Sequence, residues 1–140
     1  MTDRTFVDTN ILVYAHDQDA GNKHKIAADR ISALWESHSG VLSTQVLQEF
    51  YVTLTRKIPD PLDRPTVRRL IKNYLNWDVA VNDPLIVLQA SEIEEANKIS
   101  FWDALIVSAA FSKNVATILT EDLNHGQILE GIAIVNPFIC

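Results

Sequence analysis

Residues 101–111 have the sequence Phe101-Trp-Asp-Ala-Leu-Ile-Val-Ser-Ala-Ala-Phe111, which predicts a helix that is apolar on almost every side. A helix of that kind is normally buried within a fold. Its first turn nevertheless carries Asp103, and a buried, unpaired carboxylate is costly. We therefore expect an arginine, a set of backbone donors or a cation beside Asp103. Ser100 and Asp103 also have capping-box spacing, which accounts for this aspartate without any function.

Short apolar strands alternate with helices along the rest of the chain. We predict strands at 5–8, 40–42, 79–81, 116–119 and 131–135. The remaining helices are predicted from position 10 and over 23–37, 45–57, 65–76 and 84–97. Strands separated by helices indicate parallel pairing through crossovers, and strands without hydrophobic alternation indicate burial on both faces. The pattern predicts an α/β fold with a parallel sheet.

The bulk composition favours one cytoplasmic domain spanning residues 1–140. Cys140 is the only cysteine, so an internal disulfide framework and a multi-cysteine zinc site are excluded. No apolar run is long enough to span a membrane, and the N-terminal residues lack the pattern of a signal peptide.

The formal charge of −6 disfavours a protein that coats nucleic acid without specificity, because such proteins are basic. A local basic stretch remains, since six of the twelve lysines and arginines lie within positions 56–72. They are Arg56, Lys57, Arg64, Arg68, Arg69 and Lys72. Such a run is most often a solvated surface, but it can also contact a polyanion.

Acidic and small polar side chains follow several predicted strands. In an open parallel sheet, ligands bind beyond the carboxyl ends of the strands. The residues placed there, or on the helix after the second strand, are Asp8, Thr9, Asn10, Glu49, Thr120, Glu121 and Asp122. Together with Asp103, these acids can meet at one edge of the sheet.

Each acid also has a purely structural explanation. Asp8 can be the N-cap of the helix after it. Glu49 falls beside the apolar stripe of its helix, where a boundary glutamate commonly pairs with a basic residue. Either Glu121 or Asp122 can cap a turn while the other faces the site, and their spacing does not decide between them.

A cluster of carboxylates without a buried base requires a cation. Oxygen ligands suit Mg²⁺ or Mn²⁺, which can activate water and hold a phosphate oxygen. The four histidines have no zinc-site spacing. The chain also lacks a phosphate-binding P-loop, a GxGxxG fingerprint and a GxSxG elbow, so nucleotide binding of those kinds and serine hydrolysis are unsupported.

Four stretches together resemble the four acidic blocks of PIN domains. They are Phe6-Val-Asp-Thr-Asn-Ile-Leu12, Gln48-Glu-Phe50, Phe101-Trp-Asp-Ala-Leu-Ile106 and Leu119-Thr-Glu-Asp-Leu123. The order and spacing fit over essentially the whole chain, and its size is most similar to the VapC-type toxins of toxin–antitoxin pairs.

The resemblance implies an endoribonuclease dependent on Mg²⁺ or Mn²⁺, with a three-layer α/β/α sandwich around a mostly parallel sheet. It assigns metal binding and catalysis to Asp8, Glu49, Asp103 and Asp122. It assigns supporting roles to Thr9, Asn10 and Thr120, and leaves Glu121 as an intervening residue. It also implies a homodimer and a cognate antitoxin.

RNA must still reach an acidic crevice, and we predict that Arg56, Lys57, Arg68 and Arg69 contribute to its binding. Charge reversal at Arg68 and Arg69 should then weaken RNA binding more than metal binding.

Three other hypotheses fit less of the sequence. A degenerate PIN-like domain could serve as an RNA- or protein-binding module, although all four acidic positions are filled. A phosphatase with Asp8 as nucleophile would normally carry a second aspartate at position 10, where this chain has Asn10. A phosphorylation-type receiver domain would need a lysine after a late strand, and the Thr120-Glu-Asp segment supplies none.

Overall fold

A computed structural model describes residues 3–139, so Cys140 lies outside the described part of the chain. Its strands are β1 (Thr5–Val7), β2 (Gly40–Ser43), β3 (Asp78–Ala80), β4 (Thr117–Leu119), β5 (Ile128–Leu129) and β6 (Ile132–Val135). Its helices are α1 (Thr9–Tyr14), α2 (Asn22–Ser37), α3 (Thr44–Val52), α4 (Arg64–Tyr74), α5 (Pro84–Asn97) and α6 (Phe101–Ser112). Within this range no helix is long and apolar enough to cross a membrane.

The strands form one sheet in the order β3-β2-β1-β4-β6-β5. All neighbours pair in parallel except β5 and β6, which are antiparallel. The chain first runs outward from β1 through β2 to β3, and then returns to β4 on the other side of β1. This reversal makes the β1/β4 boundary the switch point of the sheet, where ligands of such folds bind.

The sheet is enclosed by two groups of helices. Helices α5 and α6 pack on each other, and α6 also contacts β2 and β3. Helix α1 packs on α2 and on α3, and α3 also packs on α4. Helices α2 and α3 both contact β2. Ser108, buried inside α6, donates its hydroxyl to the Ile86 carbonyl at 2.9 Å, so its polar group is satisfied. The predicted three-layer sandwich with a mostly parallel sheet is confirmed.

Two local elements differ from the sequence prediction. The helix predicted to reach position 57 is α-helical only to Val52 and continues as a π-helical turn over Thr53–Lys57. The antiparallel strand β5 was not predicted, because two residues are too few to display a strand period. It joins β6 through Glu130 and Gly131, whose φ angles are 50° and 81°. Positive φ at both positions is typical of a tight hairpin turn.

Candidate active site

A cavity of about 670 Å³ opens beyond the carboxyl ends of β1 and β4. Its lining includes the four acids singled out by the sequence, Asp8, Glu49, Asp103 and Asp122. They come from four different parts of the chain, so the fold brings them together. Glu121, which adjoins Asp122, is not part of the lining.

Asp8 is the most deeply buried of these acids, with 6% of its surface exposed. Its amide continues the β1–β4 ladder by donating to the Leu119 carbonyl at 2.9 Å, which fixes it at the centre of the sheet edge. The carboxylate accepts from the Thr9 amide at 2.7 Å and from the Thr120 hydroxyl at 2.8 Å. Asp8 is also the N-cap of α1, so a capping role and a site role coexist.

Burial dominates the electrostatics of Asp8. Loss of hydration raises the pKa of its carboxyl to about 7, although the hydrogen bonds from Thr120 and Thr9 lower it. The negative charges of Asp122 and Glu49 raise this pKa further. The sheet edge therefore holds an acid that is half-protonated near neutral pH unless a cation is present.

Two threonines link the acids to one another. The Thr9 hydroxyl donates to the Glu49 carboxylate at 2.6 Å, which joins the start of α1 to α3. The Thr120 hydroxyl donates to Asp8, and its oxygen accepts from the Asp122 amide at 3.1 Å. Thr9 and Thr120 thus orient the carboxylates of Asp8 and Glu49, and Thr120 also fixes the backbone at Asp122.

Asp103 is half-buried rather than buried, which corrects the expectation drawn from its apolar helix. The buried part of α6 begins one residue later and covers 104–110. The first turn reaches past the sheet edge, so the carboxylate lines the cavity. The Asp103 amide donates to the Ser100 hydroxyl at 3.1 Å, so Ser100 caps the helix as predicted.

The structure separates Glu121 from Asp122, which the spacing of the two acids alone could not do. Glu121 points to α1 and α2, where its carboxylate accepts from the Tyr14 hydroxyl at 2.6 Å and from the Lys23 ammonium at 2.8 Å. Partial burial raises the pKa of Glu121, but the Lys23 and Tyr14 hydrogen bonds outweigh it and hold that pKa below its usual range. For Asp122, partial burial and then the charge of Asp103 raise the pKa.

A family model of the PIN domain matches residues 5–128. This chain belongs to the PIN domain family. No curated protein sequence matches it significantly.

Three solved structures illustrate the proteins that share this fold. VapC20 of Mycobacterium tuberculosis, described as a sarcin–ricin loop cleaving toxin, is 20% identical, with 84% of this chain and 89% of that chain covered at a TM-score of 0.64. A toxin–antitoxin complex from Klebsiella pneumoniae is 17% identical, with 96% of this chain and 98% of that chain covered at a TM-score of 0.70. FitAcB from Neisseria gonorrhoeae is 14% identical, with 96% of this chain and 98% of that chain covered at a TM-score of 0.67. At these identities the likeness extends to the fold alone.

The cavity of this PIN domain has an excess of hydrogen-bond acceptors. Asn10 Oδ1 and Gln45 Oε1 are buried in its wall without a hydrogen-bond partner among the described residues. The ionised carboxylates beside them can only accept. Over residues 3–139, no three His, Cys, Asp or Glu side chains already stand close enough to hold an ion directly. These two amide oxygens therefore need donors, which a hydrated cation would supply through its water ligands.

Sequence reasoning missed several residues of this PIN-domain cavity. Gln45 is only 7% exposed although it is polar, and Trp102 is 65% exposed although it is aromatic. Both depart from the usual burial of their residue types, and this departure appears only in the fold. The apolar wall that accompanies them consists of Val13, Val52, Ile58 and Ile106.

The basic stretch is divided by the structure. Lys57 lines the cavity from the end of the π-helical turn. Arg56, Arg68 and Arg69 are exposed but do not line it, and Arg69 donates to the Thr66 hydroxyl at 3.1 Å. Lys57 is therefore the member of this stretch that can reach a ligand in the cavity.

The histidines do not contribute to the cavity lining. His38 and His125 are exposed on the surface. His16 differs, because its ring packs edge-on against Phe50 and Tyr74 at 5.6 Å and 5.7 Å between ring centroids. Burial lowers the pKa of His16 to about 4, so it is a neutral packing residue at physiological pH.

Proposed function

We propose that this PIN domain is an endoribonuclease that depends on a divalent cation and acts as the toxin of a toxin–antitoxin pair. The observation that carries the proposal is the meeting of Asp8, Glu49, Asp103 and Asp122 around one cavity. None of the four forms an ion pair with a basic side chain in the described part of the chain. No ion pair within this part of the chain therefore offsets their mutual repulsion.

Mg²⁺ or Mn²⁺ fits this donor set, because both prefer carboxylate, carbonyl and water oxygens. We assign its binding to the four carboxylates, with part of the contact through water ligands. The unpartnered amide oxygens of Asn10 and Gln45 would accept hydrogen bonds from those waters. A bound cation of this kind lowers the pKa of a coordinated water and offsets charge on a phosphate in an in-line displacement.

The chain's own residues supply orientation and charge for hydrolysis. Thr9 and Thr120 hold Glu49 and Asp8 in fixed directions through their hydroxyls. Asp8, whose pKa burial raises, would hold the cation as an ionised carboxylate. Lys57 supplies a positive charge at the cavity for a phosphate oxygen of the RNA. Arg56, Arg68 and Arg69 are proposed to extend this attraction along the RNA backbone.

A protein partner is the second part of the proposal. VapC20 is described as a toxin, and the Klebsiella structure is a toxin–antitoxin complex, so we propose a cognate antitoxin for this chain. We also propose a homodimer. An exposed apolar patch of Leu85, Leu88 and Phe111, which are 74%, 63% and 45% exposed, supports a protein interface. The cytoplasmic location stays a prediction.

The proposal is tested by an RNA-cleavage assay with Mg²⁺ or Mn²⁺ on the wild type and on Asp103→Asn. Asp103→Asn should cut cleavage by at least about a hundredfold, because loss of one ligand weakens metal binding and misorients the bound water. Asp29→Asn, an equal charge change on the exposed face of α2, is the matched control and should stay near wild type.

Metal-dependent cleavage that is undiminished in both Asp103→Asn and Asp8→Asn would refute the site. A wild-type protein that binds RNA and Mn²⁺ without cleaving any RNA would instead identify a binding module.

A further inference from the structure

Trp102 lies at the mouth of the candidate active site, immediately before Asp103. Its side chain lines the cavity and is nevertheless 65% exposed. An indole ring left largely in water forgoes much of the stabilisation that its burial would bring. Its neighbour Phe101 lies nearly perpendicular to it at 5.5 Å between ring centroids, an arrangement that covers at most one face of the indole.

The cavity behind Trp102 is chemically divided. The four acids occupy the part next to the sheet edge. An apolar wall accompanies Trp102, formed by Ile106 one helical turn further along α6 and by Val52 and Ile58 from the end of α3 and the segment after it. Purely ionic recognition of a phosphate would not need such a wall. A flat, weakly polar ring beside the phosphate would use it.

Trp102 is separate from the exposed patch of Leu85, Leu88 and Phe111. The Ser108 hydroxyl bonds to the Ile86 carbonyl at 2.9 Å, which places that part of α6 beside the start of α5. Trp102 precedes Ser108 by six residues, or about 9 Å along the helix axis. Trp102 also precedes Phe111 by nine residues, about two and a half turns, so the two rings project from opposite faces of α6 and a partner seated on that patch would face away from Trp102.

We infer that the Trp102 indole stacks on one unpaired nucleobase next to the scissile phosphate and so positions the RNA strand in the cavity. The inference rests on the proposed ribonuclease function. Every base offers an aromatic face, so the contact gives affinity with little sequence preference. A base inside a duplex is already stacked on both sides and cannot meet the ring without being unpaired. Lys57, on the same cavity, is suitably charged for the adjoining phosphate.

The test measures RNA affinity in an Asp8→Asn background, which removes cleavage during the titration. The probes are a ten-nucleotide single strand and the same sequence fully paired. Trp102→Ala should weaken single-strand binding on the order of tenfold, as expected for loss of one stacked base. Trp102→Phe, which keeps an aromatic face, should restore most of it. Leu75→Ala removes an exposed apolar side chain that lies outside both the cavity and the apolar patch, and it is the control, expected to bind like the parent.

Tryptophan fluorescence gives a second readout that a structural role would not move. Trp77 is 8% exposed and Trp35 is half-buried, so RNA should quench chiefly the emission of Trp102. The quenching should disappear in Trp102→Phe although RNA still binds. In the cleavage-competent protein, Trp102→Ala should raise KM with little change in kcat.

Unchanged single-strand affinity in Trp102→Ala, with cleavage still dependent on Asp103, would overturn the inference and leave the ribonuclease proposal standing. A change of oligomeric state in Trp102→Ala without a change in RNA affinity would also overturn it, since the ring would then contact protein. Failure of the parent to bind or cleave RNA would remove the proposed function itself and this inference with it.

Discussion

Replacing Asp8 with asparagine is expected to stabilise the metal-free protein at pH 8 while it abolishes cleavage. Burial raises the pKa of Asp8 from its ordinary 3.8 to about 7. The folded state therefore binds more protons than the unfolded chain between these values, and stability falls as pH rises through that window. Three pKa units correspond to about 4 kcal/mol. Asparagine carries no charge and avoids this loss.

The net gain should be smaller, on the order of 2 kcal/mol at pH 8, because asparagine gives up the Thr120 hydroxyl donation. Urea unfolding of wild type and Asp8→Asn at pH 4 and pH 8, both without metal, measures it. At pH 4, where Asp8 is protonated in the folded state, this gain should vanish, and the wild type should be the more stable of the two by about the value of the lost Thr120 hydrogen bond. A wild type that is the more stable of the two at pH 8 would contradict the assigned burial cost.

Gly40→Ala is expected to be among the most destabilising single substitutions in the chain. Gly40 begins the buried strand β2, and a Cβ there would meet three ring atoms of Trp77 at 2.4, 2.5 and 2.7 Å. The backbone on one side and a packed indole on the other leave little room for relaxation. We expect a loss of about 3 kcal/mol or more in the free energy of unfolding, measured by urea denaturation.

A double-mutant cycle isolates the cause. Trp77→Leu alone should destabilise, because the indole also packs edge-on against Trp35 and Tyr74 at 5.3 and 5.1 Å between ring centroids. Combined with Gly40→Ala it should cost less than the sum of the two single changes, since the smaller side chain relieves the clash. Strict additivity would show that the Trp77 contact is not the reason for a glycine at position 40.

The main elements of the fold follow from local sequence signals. The apolar strands and the helices between them are strong patterns, and a parallel sheet is the usual way to pair strands connected by helices. The π-helical turn at Thr53–Lys57 and the two-residue strand β5 have no recognisable sequence pattern, because each depends on contacts formed only in the folded chain. The tight turn at Glu130 and Gly131 brings β5 back alongside β6, so this strand depends on the turn as well as on its own residues.

The site is predictable in outline for a different reason. Residues that follow parallel strands meet at one sheet edge, so the sequence alone predicts that Asp8 and Asp122 lie close together. The degree of burial could not be predicted. The apolar pattern of its helix predicts that Asp103 is the buried acid. The structure instead buries Asp8 at the end of β1 and leaves Asp103 half-buried at the start of α6. The choice between Glu121 and Asp122 depended on Tyr14 and Lys23, which are distant in sequence.

A Mn²⁺ titration of three proteins, followed by electron paramagnetic resonance of the free ion, tests most directly whether these acids share a cation. The proteins are the wild type, Asp122→Asn and Glu121→Gln. The two variants remove the same charge at adjacent positions, one inside the cavity and one paired with Lys23 outside it. The account predicts that Asp122→Asn weakens Mn²⁺ binding at least about tenfold and that Glu121→Gln leaves it near wild type. Equal Mn²⁺ binding by all three proteins, or a loss confined to Glu121→Gln, would contradict it.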